Sequence, residues 1–286
     1  LFYVAMTRAE DELDIIYIGD KAKSGFSKHP GSGKYVGRYN TISGHYSKTG
    51  AAPLVNLTRA SARSGARGKG SKWSEYDFAS WCAVWLLYLV EFSDWDSQSK
   101  IGRGYVDSNS SAINSGGTDS MTYHTGRASG TDGKTAVQYR HIENPWGNIF
   151  EWIDGVNFSA GTVYVCTTPE NYADDTSTNY TNVGTKVQSD GYIKALGMSS
   201  NMPWAFFPSE VGGSETTYIP DYAYYYSGWR VLYVGGYWSG GGNAGLFYFN
   251  ANNSSSDSNS NVGARPLVFL FTRAGFPAPL GENIAA

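Results

Sequence analysis

The sequence predicts an α+β fold of short twisted strands with two helices, and three observations carry that expectation. Two helix candidates lie early, between residues 56 and 92, and seven short strand-like segments come after them. Glycine supplies 35 of 286 residues and aromatics 15%; glycine punctuates turns and aromatics suit pleated, half-buried surfaces. In the longer helix candidate, Phe78, Trp81, Cys82, Trp85, Leu86, Leu89 and Val90 recur at helical spacing, which predicts one core-facing side.

Residues 1–34 differ in character from the rest of the chain and are set apart as an N-terminal appendage of unknown role. The stretch YVAMTRAEDEL near the start resembles the last conserved motif of superfamily 1 DNA helicases, where Arg8 would match an ATP-contacting arginine. The chain has no G-x-x-x-x-G-K-[ST] loop, and GSGK at 31–34 lacks both the first glycine and the final hydroxyl, so helicase activity is excluded. Residues 35–271 then read as one domain, opening on the strand-like YVGRYNTIS. Asn56 or Thr58 caps a first helix to about Gly65, and Ser74, with Asp77 three residues on, caps a second to about Phe92. A Ser/Gly/Asn-rich loop spans Asp107 to Gly133. The strand candidates are VQYRHIEN, GNIFEWIDGVNF, TVYVCTT, GYIKALG, GWRVLYVGG, AGLFYFN and ARPLVFLF. Residues 272–286 carry Pro and Gly without periodicity and are expected to be disordered.

The net charge of −3 and the lack of a basic stripe argue against nucleic acid as a partner. No run of eighteen apolar residues occurs, so no membrane insertion is expected. The first residues lack a signal-peptide layout. Of the two cysteines, Cys82 and Cys166, Cys82 lies in an apolar helical run and reads as a buried free thiol, with a long-range disulfide between the two the alternative if the protein is extracellular.

The region from Asp221 to Arg265 has the composition of a binding surface. Four of the six residues 221–226 are tyrosine, and a run rich in Asn, Ser, Gly and Tyr comes next. Tyrosine offers rigid contact area with a polar tip, while Ser, Gly and Asn adapt their hydrogen bonds. The candidate ligand-binding residues are Tyr222, Tyr224, Tyr225, Tyr226, Ser227, Tyr237, Ser239, Gly241, Asn243, Tyr248, Asn250, Asn252 and Asn253. Between them Trp229, Val231, Leu232, Trp238, Leu246, Phe247 and Phe249 read as frame. The competing reading is that the tyrosines pack a strand onto the core, since consecutive strand residues face both ways.

Two segments carry a family resemblance. NPWGNIFEWIDG (Asn144 to Gly155) resembles the G-N-V-W-E-W segment of formylglycine-generating-enzyme-like domains, a branch of the C-type lectin fold. GWRVLYVGGYWS…NVGARPLV resembles that family's R-x-x-R-G-G-S-W…G-F-R pattern, with Tyr237-Trp238 in place of Ser-Trp and Ala264-Arg265 in place of Phe-Arg. Within that fold the chain looks closest to phage or prophage variable proteins of diversity-generating retroelements. The resemblance implies a hypervariable region at about 220–265, receptor binding and no catalysis. It also implies a place on a phage tail or host cell surface and, in some members, a homo-oligomer. The partner is expected to be a protein or glycan receptor on a target cell. A structural virion or assembly protein, or an enzyme with an unrecognised site, stays open.

Catalytic and metal signatures are sparse. No cysteine lies beyond Cys166, so the paired-cysteine chemistry of the resembled enzymes is lacking. His141-x-Glu143 has no P-C-x-x-C to complete a zinc site, and His124 has no partner that sequence can place. Glu151 and Asp154 could mimic a glycosidase pair, yet Glu151 reads as a core group with Arg265 the suggested partner. No cofactor is expected. C-type-lectin-like domains often hold Ca²⁺, and Asp107, Asp119, Asp174 and Asp175 sit in oxygen-rich loops, but loop aspartates commonly serve turns and no ligand set is assigned.

Overall fold

The computed structural model describes residues 26–29 and 34–269, residue 108 excepted. The helicase-like stretch around Arg8 and the tail from residue 272 lie outside these residues.

Side-chain caps set the helix starts. Helix α1 (Arg59–Arg67) begins after Thr58, whose hydroxyl accepts the Ser61 amide at 3.1 Å. Helix α2 (Phe78–Phe92) begins after Asp77 and not after Ser74, which lies in a strand. The Asp77 carboxylate accepts the Ser80 amide at 2.9 Å and pairs with Lys34 at 2.7 Å. A charged cap outcompetes a hydroxyl here because it also opposes the positive helix end. Helix α2 is enveloped and has no single core-facing side: Val84 and Leu87 are buried beside Trp81, Cys82, Trp85 and Leu89, whereas Val90 is 54% exposed. Helix α3 (Ser97–Lys100) is one turn, capped by Asp96.

The strands are β1 (Phe26–His29), β2 (Lys34–Gly37), β3 (Trp73–Glu75), β4 (Gly126–Arg127), β5 (Val137–Tyr139), β6 (Ile142–Glu143), β7 (Phe150–Ser159) and β8 (Thr162–Val165). They continue as β9 (Thr181–Thr185), β10 (Gly191–Ser199), β11 (Met202–Val211), β12 (Ile219–Tyr225), β13 (Trp229–Val234), β14 (Phe249–Asn253), β15 (Val262–Gly263) and β16 (Pro266–Phe269). Among the described residues the fold is therefore mostly β-sheet with three helices. VQYRHIEN is a hairpin, not one strand, because Arg140 and His141 both turn through positive φ. AGLFYFN becomes strand only from Phe249 onward.

A small sheet runs β1-β2-β16-β3, so residues 26–29 and Lys34 pair into the same sheet as the last described strand. The large sheet runs β11-β10-β12-β14-β13-β7-β8-β9, with β15 added in parallel beside β7. It curls towards closure: the Val187 amide, just past β9, donates to Pro208 O of β11 at 2.8 Å. Joining the edges in this way leaves less unpaired backbone exposed. One face of this sheet packs on α2, where Trp81 lies 6.0 Å from Phe249 and Trp85 lies 4.8 Å from Phe247.

The buried stripe of α1 is Arg59, Ala62, Arg63 and Ala66. Two arginines are tolerated there because every charge is met. Arg59 Nε donates to Asp174 at 2.8 Å, and its Nη1 donates to the carbonyls of Ile153 and Val156 at 3.1 and 2.6 Å. Arg63 is bidentate to Asp154 at 2.6 and 2.9 Å and reaches Asp174 at 2.6 Å. Glu75 in β3 is the exception, buried at 1% exposure with no donor on either carboxylate oxygen among the described residues. Burial, then the Asp154 charge, pushes its carboxyl well above the usual range. A raised folded value means that stability is lost as pH climbs from the unfolded value through the folded one. Glu75→Gln is therefore expected to raise Tm at neutral pH, with the gain shrinking as pH falls towards about 4 and lost below it; calorimetry across that range checks it.

Candidate ligand-binding face

The second face of the large sheet is built by register. Tyr224 of β12 pairs with Asn250 of β14, Asn250 with Tyr233 of β13, and Tyr233 with Trp152 of β7. Side chains opposite one another across a sheet share a face, so four neighbouring strands present one row of aromatic and amide groups. One residue along, Ala223, Phe249 and Val234 form the matching row on the core side. Tyr192 of β10 extends the outer row, opposite Tyr222 and edge-on to it at 5.1 Å.

The rings form a continuous band. Tyr222 meets Tyr224 at 4.7 Å, Tyr224 meets Tyr248 at 5.8 Å, and Tyr248 meets Phe150 at 5.6 Å. Phe150 in turn touches Tyr233 at 4.3 Å and Tyr237 at 4.8 Å. Beneath them Ala62 of α1 and Leu57 close the floor, and Trp152 Nε1 donates to Leu57 O at 2.8 Å. Amides lock the phenols: Tyr192 donates to Asn243 Oδ1 at 2.8 Å, and Asn250 Nδ2 donates to the Tyr248 oxygen at 3.2 Å. Asn253 Nδ2 donates to Asn250 Oδ1 at 2.8 Å. Burial raises the Tyr224 phenol, with an Asn243 hydrogen bond opposing, and raises the Tyr248 phenol well above its ordinary value.

The thirteen residues expected to bind do not all lie alike. Tyr222, Tyr224, Tyr237, Asn243, Asn252 and Asn253 are half-buried on or beside this face, as is Gly241 on the flanking loop. Ser227 and Ser239 are exposed on its loops, and Tyr226 is 60% exposed. Tyr248 and Asn250 are buried at 4% exposure, so they floor the face and do not cap it. Tyr225 points to the opposite side, where Lys186 Nζ sits 4.6 Å from its ring centre. Alternation along β12 splits the tyrosine run, so both the packing and the display readings hold for part of it. The frame residues Val231, Leu232, Leu246, Phe247 and Phe249 are buried, whereas Trp229 and Trp238 are half-buried. Tyr192, Phe150, Trp152 and Tyr233 belong to the face but were not legible as such; their nearness to Tyr222 and Tyr224 depends on strand order.

Glycines shape the loop that carries Tyr237. Gly235 and Gly236 both hold positive φ (83° and 80°), and a Cβ on Gly236 would lie 2.5 Å from the Ala244 Cβ. At the inner end of the same loop Asp221, 1% exposed, accepts the Phe247 amide at 2.6 Å. Burial keeps this carboxyl well above its ordinary range despite that bond.

Below the face, Arg265 is fully buried and uses every donor. Its Nε meets both Glu151 oxygens at 3.1 and 3.0 Å, and its Nη2 meets Oε1 at 2.5 Å. Nη1 donates to Gly37 O and Arg38 O at 2.9 and 2.7 Å, and Nη2 also donates to Glu143 O at 2.7 Å. Asn40 adds a 2.6 Å bond to Glu151. The partner suggested for Glu151 is thus the one found.

Other candidate chemistry is occupied. Asp154 faces Arg63, so it forms no acid pair with Glu151. His124 Nδ1 lies 2.8 Å from Thr125 Oγ1, and its ring is 5.9 Å from that of His141. Glu143 accepts the Gly116 and Thr118 amides, each at 2.8 Å. Of the loop aspartates, Asp107 is clamped by Arg103, Asp119 accepts from Thr49 and Tyr39, Asp174 faces the α1 arginines, and Asp175 accepts from Ser255. Among the described residues no three His, Cys, Asp or Glu side chains converge as a metal site. Cys82 and Cys166 are buried and unbridged. Also among the described residues, no helix is long and apolar enough to cross a membrane.

No protein-family model matches the chain, and no curated protein matches it. Among solved structures the chain is similar to the Major Tropism Determinant U1 Variant, at a TM-score of 0.43 and 10% identity, covering 90% of this chain. The match spans 55% of that structure, about half its length.

Proposed function

We propose that this chain is a C-type-lectin-like binding domain that grips a receptor through the tyrosine- and asparagine-rich face and leaves it chemically unchanged. The observation that carries the reading is the row Tyr224–Asn250–Tyr233–Trp152, continued by Tyr192, Tyr222 and Tyr237. It is aromatic and without a charged side chain, it is stiffened by hydrogen bonds with Asn250 and Asn243, and its outer members are only half covered. Such pre-organised aromatic anchors supply contact area at small entropic cost. The fold reading is supported by the two segments that carry the resemblance. They lie side by side, Val262 opposite Phe150 and Gly263 opposite Glu151, and are bolted by the Arg265–Glu151 pair. The expected diversification at about 220–265 would act on the outer row while Ala223, Phe249 and Ala251 hold the core. Display on a phage tail or cell surface is the setting that suits this design.

Binding of labelled protein to candidate host cells tests the reading. Tyr226→Ala, Tyr224→Ala and Tyr237→Ala should each weaken binding by about 2 kcal/mol where the ring reaches a desolvated pocket. For the exposed Tyr226 the melting temperature should stay within error of the parent. Unchanged binding in all three variants would sink the proposal, as would turnover of a bound molecule. Binding is expected to survive chelation, which equilibrium titration with and without EDTA would show. Neighbouring DNA offers a separate check: a reverse-transcriptase gene and a near-copy of codons 220–265 differing at adenines.

A further inference from the structure

Lys186, immediately after β9, is buried at 2% exposure without a salt bridge among the described residues. Its ammonium donates to two backbone carbonyls, Val187 O at 3.1 Å and Tyr224 O at 3.4 Å. The Tyr225 ring covers it at 4.6 Å, and the Phe158 ring lies 5.9 Å away. A lysine taken out of water needs acceptors or an anion, and two carbonyls and two ring faces only partly replace its hydration. Among the described residues the charge acting on it is Asp190, whose carboxylate accepts the Tyr225 amide at 2.7 Å; Gln188, 3.4 Å from the Tyr225 hydroxyl, is neutral. Everything that Lys186 touches on β12 belongs to the last two residues of the strand that bears Tyr222 and Tyr224.

We infer that Lys186 is a positioning residue for the binding face, a proton-dependent latch that loosens the end of β12 when it is charged and lets that end close when it is neutral. As a cation it meets the Tyr224 carbonyl and the Tyr225 ring, but these replace only part of its hydration, so the charged form favours an opening that readmits water; as an amine it needs no such hydration. Burial brings its titration down to about 7, with Asp190 opposing, so the change falls near neutrality. The latch has a signature that simple packing lacks. Between about pH 7 and about 10 the unfolded chain binds more protons than the folded one, so global stability rises with pH. Over the first part of that rise, local order at Tyr224–Tyr226 rises too, because fraying of this strand end hydrates the same ammonium.

This inference rests on the proposed binding face for its purpose, but its test uses the protein alone, so either can fail without the other. Hydrogen-exchange protection of the Tyr224, Tyr225 and Tyr226 amides and the Tyr225 ring carbon shift would be monitored from about pH 6 to about pH 8.5 by NMR. Protection is expected to rise several-fold above an onset near neutrality, and the ring shift should move with a midpoint there; a fall in protection would overturn the assignment. In Lys186→Met both changes should vanish while Tm at pH 6 rises. In Asp190→Asn they should persist at a lower midpoint, because the anion that favours the charged lysine is gone. A flat wild-type profile, changes that survive Lys186→Met, or an unchanged or raised midpoint in Asp190→Asn would also overturn it.

Discussion

Arg265→Met is expected to be the most damaging single substitution in the domain, at about 3–5 kcal/mol. It leaves the Glu151 carboxylate buried with Asn40 as its remaining side-chain donor. It also strips the carbonyls of Gly37, Arg38 and Glu143 of their shared donor. Those carbonyls come from β2, the loop after it, and β6, so the loss unfastens the small sheets from β7. Against a typical total of about 5–15 kcal/mol, that is a large fraction. Urea melts give the check, as a lower midpoint with unchanged slope. The double variant Arg265→Met, Glu151→Leu should recover part of the loss, because the stranded charge goes with its partner. A midpoint shift equivalent to less than about 1 kcal/mol would contradict the account.

Gly245→Ala should cost about 2–4 kcal/mol, for a different reason. The new methyl would sit 2.1 Å from Asp221 Oδ1 and 2.4 Å from its Cγ. Asp221 is walled in and holds the Phe247 amide, so relief means breaking that bond and displacing the loop beneath Tyr248. Asp221→Ala in the Gly245→Ala background should therefore be milder than the two separate losses summed, a coupling that a double-mutant cycle reads directly. Additive losses would show that the two residues do not press on each other. Because this loop leads into β14, the Gly245 variant is also expected to disturb the Tyr248 and Tyr224 ring signals.

Local chemistry was legible in the sequence; long-range assembly was not. Thr58 and the extent of α2 emerge from capping and periodicity, although Asp77 displaces Ser74 because a carboxylate can serve Ser80 and Lys34 at once. The pairing of Glu151 with Arg265 could be suggested because a buried carboxylate demands a cation. The arginines on the inner stripe of α1 were not foreseen, since their acceptors Asp154 and Asp174 lie about 90 to 115 residues away. The site was half visible for the same reason. Composition pointed to Tyr222–Tyr226 and the Asn-rich run, and alternation warned that some would turn inward. Which ones depends on the partners of β12, and Tyr192, Phe150 and Tyr233 join them only through sheet order. Strand β9 has a single apolar residue, Val183, and β11 carries Pro203 and Pro208, which argue against a strand, so neither gave a comparable local signal.

Strand β14 lies between β12 and β13 and runs parallel to the first, although it comes after both in the chain. During synthesis β12 and β13 therefore emerge with a vacancy between them that nothing else fills. A ribosome stalled before residue 249 would hold a nascent chain whose recognition surface has no middle. The groove between those strands closes only when one late segment threads in. Completing this surface thus waits on a late segment, and until it arrives two strand edges stay open to wrong partners.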